Sequence, residues 1–269
     1  MMKILGTIIL CGSGKTMIKI EETKTFGWEA AIRGMRNPMN SWDKSDSGIC
    51  YKEVACHSCN ENRNNCAYNL EHDGFVIGDN DLNLMRRLCK AGSDHRKFMR
   101  MIMVYCDITA PLYWWKEFDT YKVGTVVNSC STMHKIHDKE FTIDDFSHEH
   151  LMSSGAPTRL NVGKTFEDES CNELTFDHYG ALLGVIKSLN FARDMYLLHG
   201  EKKYWWQMIQ LLPSSYNQKR TVLLNYEVLT NIYNSRKNHK LDEWHYFCDW
   251  IKTLPYSELI TRIEKNKNE

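Results

Sequence analysis

The stretch KEFDTYKVGTVVNSCS, residues 116–131, is richer in chemistry-bearing side chains than a packed core segment. Behind the apolar run ITAPLYWW it sets charged, hydroxyl and amide groups, with valine as its aliphatic residue and one glycine that allows a close backbone approach. Such a set suits the binding and polarisation of a polar ligand. Cys130 inside it reads either as a nucleophile or as a small filler thiol, and the sequence offers no identifiable activating partner. A second candidate is Arg236. On a helix that follows Asn225, the 3.6-residue period puts Leu229, Ile232 and Arg236 on one stripe with Asn225. An arginine ending an apolar stripe can snorkel and complement the helix C-terminus. It can equally aim its guanidinium at a phosphate or a pyrimidine edge. The third constellation is CYKEVACHSCNENRNNC, with Cys50, Cys56, Cys59 and Cys66. The C-x-x-C pair has the spacing of a zinc knuckle, Cys50 and Cys66 complete four ligands, and His57 is an alternative. The surrounding residues have too few apolar groups to order themselves, which a structural metal would explain; free thiols in a flexible insertion are the other reading. No thioredoxin-like strand–helix unit surrounds the pair to support a redox role.

The elements that must position these groups follow from periodicity. MIKIEETKTF (17–26) reads as a strand and GWEAAIRGMRNP (27–38) as a short helix ended by Pro38. Residues 39–80 are polar and aperiodic, a long loop or insertion, Cys-rich over about 45–75. DNDLNLMRRLCKAG (79–92) has an acidic cap, helical spacing of Leu82, Met85 and Leu88, and a glycine stop. FMRMIMVYCDI (98–108) predicts a buried strand, after which Pro111 opens a helix with LYWWKEF. Residues 137–171 are polar and irregular, and 173–200 predict the longest helix. KKYWWQMIQLLP is a further helix, KRTVLLNY a strand leading into the helix EVLTNIYNSRK, and LDEWHYFCDWIKTLP (241–255) a final amphipathic helix. The two YWW triplets read as core or interface ahead of a stacking platform.

Composition narrows the class. The 269 residues suffice for a sizeable core, and 34 basic against 34 acidic residues leave no global basic footprint for nucleic acid. No apolar run approaches the ~18 residues of a membrane span. ILGTIILC near the start is too short and lacks a small-residue cleavage site, so neither a signal peptide nor a membrane partner is expected. Six scattered cysteines, Cys11, Cys89, Cys106, Cys130, Cys171 and Cys248, suit reduced thiols in a cytoplasm. GSGKT at 12–16 imitates a phosphate loop, but Ile9 stands where that motif requires glycine. Residues 1–16 are expected to be an extension preceding one domain over 17–269.

The order ITAP, aromatic helix, KVGTVVNSCS, then LLP…TVLLNY…LTN…SR…EW resembles the flavin-dependent thymidylate synthases over roughly residues 80–255. In that family an Ala-Pro opens a helix leading to an Arg-His-Arg motif and a Ser/Asn-bearing segment. A Leu-Pro, a strand ending in Asn, a second Asn, an Arg and a Trp-containing helix follow later. The resemblance implies an α+β fold with a mixed sheet and long helices, a homotetramer, and FAD as cofactor. It also implies NADPH and methylenetetrahydrofolate as co-substrates and dUMP or a related pyrimidine nucleotide as substrate. By position it assigns Asn225, Asn231, Thr125 and His95 to the flavin. Arg236, Lys122, Tyr121, Ser129 and Arg100 fall to the nucleotide, with Ser131, Asn128 and Arg236 at the reaction centre. The Arg-His-Arg triplet is replaced by Thr120, Tyr121 and Lys122, and a flavin-contacting arginine by Glu227; His95, Arg96 and Arg100 offer alternative cations.

The chemistry implied is transfer of a one-carbon unit to C5 of dUMP with flavin as hydride carrier and no enzyme thiol on the ring. The protein then binds, orients and polarises. Alternative expectations are a nucleotide-binding homologue without methylation, or a C5 hydroxymethylase of deoxyuridine nucleotides.

Overall fold

Alternating burial builds the sheet. In the strand β4 (Met103–Pro111), Val104, Cys106, Ile108 and Ala110 face the core while Tyr105 is exposed. The structure, a computed structural model, describes residues 18–49, 75–152 and 177–262. The expected extension at 1–16, with GSGKT, and Cys50, Cys56, Cys59 and Cys66 lie outside the described residues.

The remaining elements follow in chain order. β1 (Lys19–Phe26) precedes α1 (Trp28–Arg36), and the short β2 (Gly48–Ile49) and β3 (Phe75–Val76) form a two-stranded ladder. Then come α2 (Asp79–Ala91), β4, α3 (Leu112–Phe118) and β5 (Val126–Ser129). α4 (His178–His199), α5 (Lys202–Leu211), β6 (Asn217–Asn225), α6 (Tyr226–Arg236), α7 (Asp242–Thr253) and α8 (Glu258–Thr261) complete the chain. The main sheet has the order β1-β4-β6-β5. Expected to be mixed, it is antiparallel in the β1–β4 and β5–β6 ladders. The α+β class stands. Residues 97–100 are a 3-10 turn, so the strand predicted at 98–108 begins at Met103, and the following helix begins at Leu112 rather than at Pro111.

Two units divide the chain. The first holds the sheet and, around it, α1, α2, α6, α7 and α8; it comprises residues up to 109, 114–129 and from 219 onward. Its core centres on an aromatic cluster. Trp114, Trp115, Phe118, Trp244 and Phe247 are essentially fully buried, with Trp114 4.7 Å from Trp244 and 5.1 Å from Phe118, centroid to centroid. Trp114 and Trp115 of the triplet at 113–115 are therefore core, whereas Tyr113 is half-buried. Truncating one such ring typically costs about 3–5 kcal/mol. Gly27, at φ +89°, enters α1 with its Cα against Met101; a Cβ there would lie 2.2 Å from the Met101 carbonyl oxygen, so only glycine fits.

The second unit, 110–113 and 130–218, packs the hairpin of α4 and α5 on Ile136, Phe141 and Phe146. Asp177 caps α4, its carboxylate accepting from Gly180 N–H, and Gly200 ends it at φ +67°. Asn190 ties α4 to the irregular segment by a two-way bond with the Phe141 backbone, 2.8 and 2.9 Å. None of the described helices is long and apolar enough to cross a membrane.

Candidate functional site

The apolar stripe of α6 folds as its period requires. Leu229 and Ile232 are fully buried, and the stripe carries Arg236 to the helix end. There the guanidinium meets three elements of the first unit. Its Nε donates to the Tyr121 hydroxyl at 2.9 Å, and its Nη1 to Glu117 Oε2 at 2.6 Å. The Trp244 ring of α7 lies 4.8 Å from the guanidinium carbon and the Tyr121 ring 5.6 Å. Trp244 Nε1 donates to the same Glu117 oxygen at 3.1 Å, and His239 Nε2 approaches it to 3.3 Å. The Arg236 side chain is 18% exposed, buried enough to hold its direction and open enough to reach a ligand. An oriented, partly desolvated arginine is a donor for a carbonyl edge or an anion.

Asn225 starts α6. Its Oδ1 accepts from Val228 N–H at 2.9 Å, an N-cap bond, and it is buried. Gly124 packs against it at φ +77°; a Cβ would stand 2.7 Å from Asn225 Nδ2 and 3.2 Å from the Val228 side chain. Missing that Cβ, the backbone packs directly against the Asn225 amide. Thr125, next in sequence, has a buried Oγ1 with no hydrogen-bond partner. Asn231, on the same helix, is exposed.

The other expected residues are placed as follows. Lys122 is exposed beside Tyr121. Asn128 and Ser129 are exposed on β5, opposite Thr221 and Arg220 of β6. Arg220 bonds Asp119 at 2.8 Å and lies over the Trp115 ring at 4.2 Å. Ser131 belongs to the second unit, where its Oγ accepts from His134 N–H at 3.0 Å. His95 and Arg100 are exposed on the loop before β4, whereas Arg96 is buried and forks onto Glu227 at 2.8 and 3.0 Å. Arg96 is thus committed to Glu227 and is not an open cation. Tyr121 and Arg236 are brought together, as are Gly124 and Asn225.

Glu117, Trp244 and His239 did not stand out in the sequence. Burial pushes the Cys89 and Cys248 thiols up to about 12 and 11 and raises Cys106 as well, which makes all three inert. Cys130 is exposed. Among the described residues, no group of three or more His, Cys, Asp or Glu side chains is placed to hold a metal ion.

No protein-family profile matches the sequence, and no curated protein matches it. Solved structures do match the fold. A flavin-dependent thymidylate synthase from Helicobacter pylori, complexed with FAD and dUMP, superposes with a TM-score of 0.53 at 15% identity, over 88% of this chain and 94% of that one. This chain has the flavin-dependent thymidylate synthase fold. A second structure of the Helicobacter pylori enzyme with FAD and dUMP gives 0.52 at 13% identity, over 89% and 96%. A UMP/dUMP methylase from Streptomyces cacaoi bound with 5-Br dUMP gives 0.50 at 13%, over 91% and 95%. The thymidylate synthase fold accounts for the α+β architecture expected from the residue order over 80–255, and at these identities it is the fold alone that is shared.

Proposed function

We propose that this protein is a flavin-dependent enzyme of the thymidylate synthase type acting at C5 of a deoxyuridine nucleotide, most simply converting dUMP to dTMP. The observation that carries the reading is Arg236, held partly exposed at the end of α6 between Tyr121, Glu117 and Trp244, in a chain of this fold. Arg236 supplies charged donors to the nucleotide, and Tyr121, Ser129 and Asn128 supply neutral ones. Lys122 and Arg100 are exposed cations suited to its phosphate.

The residues present fit a flavin. The Asn225 amide and the orphaned Thr125 hydroxyl would hold it, with Asn231 and His95 as exposed donors. When bound, the flavin would supply hydride-transfer chemistry, with NADPH as the reductant and methylenetetrahydrofolate as the one-carbon donor. The chain's own residues orient the pyrimidine, and Arg236 and the neutral donors favour the charge that develops at its carbonyl.

A homotetramer in the cytoplasm completes the proposal. Phe191 and Leu198 on α4, 65% and 74% exposed, give the second unit apolar surface consistent with self-association. The loss of the Arg-His-Arg triplet, with Glu227 and Arg96 paired to each other, favours a second reading: a homologue that binds the nucleotide without methylating it. A C5 hydroxymethylase is the third. Calorimetric titration with dUMP tests the site. Arg236→Ala should weaken binding by a few kcal/mol, the usual worth of a charge-assisted contact of this kind. Unchanged affinity would remove Arg236 from the site.

A further inference from the structure

Glu117 is the structural centre of the Arg236 environment. One of its oxygens, Oε2, accepts from Arg236 Nη1 at 2.6 Å and from Trp244 Nε1 at 3.1 Å, and His239 Nε2 stands 3.3 Å away. Leu241 N–H donates to His239 Nδ1 at 3.1 Å, which makes Nδ1 the acceptor and leaves the ring proton on Nε2, facing Glu117. The tautomer is assigned from this partner.

The consequence for Arg236 is geometric. A guanidinium carries five N–H groups in a rigid plane. The Nε hydrogen goes to Tyr121 and one Nη1 hydrogen to Glu117, while the Trp244 ring lies 4.8 Å from the guanidinium carbon. The remaining three N–H groups have no partner among the described residues. Two anchored atoms and one ring contact stop the plane from rotating, so a single donating edge is left for a ligand. A carboxylate does not itself attract an anionic ligand, so what Glu117 contributes is the direction of the guanidinium.

We infer that Glu117 is a positioning residue that aims the Arg236 guanidinium at the deoxyuridine nucleotide, acting through Arg236 and not by touching the ligand. This rests on the reading of Arg236 proposed above. In the resembling family's order, Glu117 stands before the replaced triplet, and none of the family residues carried over to this chain falls on it.

Calorimetric titration of the full chain with dUMP tests the inference in Glu117→Gln, Glu117→Asp, Arg236→Ala and the two corresponding double variants. Glu117→Gln keeps the volume and one acceptor but loses the charge. Glu117→Asp keeps the charge but withdraws it by one methylene. Both should bind dUMP about tenfold more weakly than wild type, equivalent to about 1.4 kcal/mol. In the Arg236→Ala background neither should change affinity further, because a residue acting through another is silent once that other is gone. A purely structural part would lower thermal midpoints without this silence. Wild-type or tighter binding by both Glu117 variants, with Arg236→Ala weak, would overturn the inference and leave the nucleotide site standing. Losses that multiply in the double variants would overturn it too. Wild-type binding by Arg236→Ala would instead remove the site itself, and the inference with it. If one Glu117 variant fails to fold, the other completes the cycle.

Discussion

Replacing Asp81 by asparagine removes one charge from a buried network while keeping its shape. Asp81 is fully buried, and its carboxylate accepts from Arg36 Nε at 2.6 Å, from the Ser45 and Ser47 hydroxyls at 2.6 Å each, and from the Asp46 and Ser47 backbone N–H groups at 3.2 Å. Arg36 itself is 3% exposed, so asparagine leaves a buried guanidinium without a counter-charge. Removing one partner of a buried ion pair typically costs about 3–5 kcal/mol. At about 2–4 °C per kcal/mol for a domain of this size, the thermal midpoint of the first unit should fall by roughly 10 °C. Burial by itself raises the Asp81 carboxyl, but the bonds from Ser45, Ser47 and Arg36 and the Arg36 charge outweigh it and hold it below the ordinary carboxylate range. The stabilisation is therefore present above the unfolded value of about 4 and is lost as pH falls through the lower folded value. Thermal melts followed by circular dichroism from neutral to strongly acid pH should show a shallower acid limb in Asp81→Asn than in wild type. A double change, Arg36→Met with Asp81→Leu, should recover part of the loss because it leaves no buried charge. A midpoint for Asp81→Asn within about 2 °C of wild type, equivalent to under 1 kcal/mol, would refute the reasoning.

Gly124→Ala should cost about 1–3 kcal/mol, because alanine at φ +77° is strained and its Cβ meets Asn225; a melt coincident with wild type would show that the loop relaxes around it. Lys122→Met should weaken dUMP binding and flatten its salt dependence, and an unchanged slope between low and physiological salt would show that Lys122 faces only water. The cysteines at 50, 56, 59 and 66 are expected to hold one structural zinc. Elemental analysis of protein purified without added metal should give about one zinc per chain, abolished in Cys56→Ser with dUMP binding intact, and a zinc-free wild-type protein would refute the site.

The helices were legible because their apolar positions repeat at 3.6 residues. Leu229 and Ile232 are buried on α6 as spaced, and α4 runs to His199 just before its glycine stop. β5 was not legible: Val126, Asn128 and Ser129 are exposed and do not alternate, and the strand exists because β6 offers it a ladder. Nor was the start of β4, since Phe98, Met99 and Ile102 are buried like strand residues but Phe98 and Met99 lie in a 3-10 turn. Arg236 was visible as an arginine ending an apolar stripe. What holds it was not visible, because Glu117 and Trp244 meet it only in the fold, 119 residues separating Glu117 from Arg236. The same holds for Glu227, whose burial becomes tolerable only through Arg96, far away in sequence.

The claim that this fold carries flavin-dependent nucleotide chemistry is tested most directly by the visible absorbance spectrum of the purified protein, recorded with FAD and dUMP supplied and then with NADPH added anaerobically. The account predicts a protein that retains a yellow oxidised flavin through desalting and bleaches on reduction. A colourless protein that binds dUMP but takes up no flavin would contradict it and leave the nucleotide-binding homologue as the function.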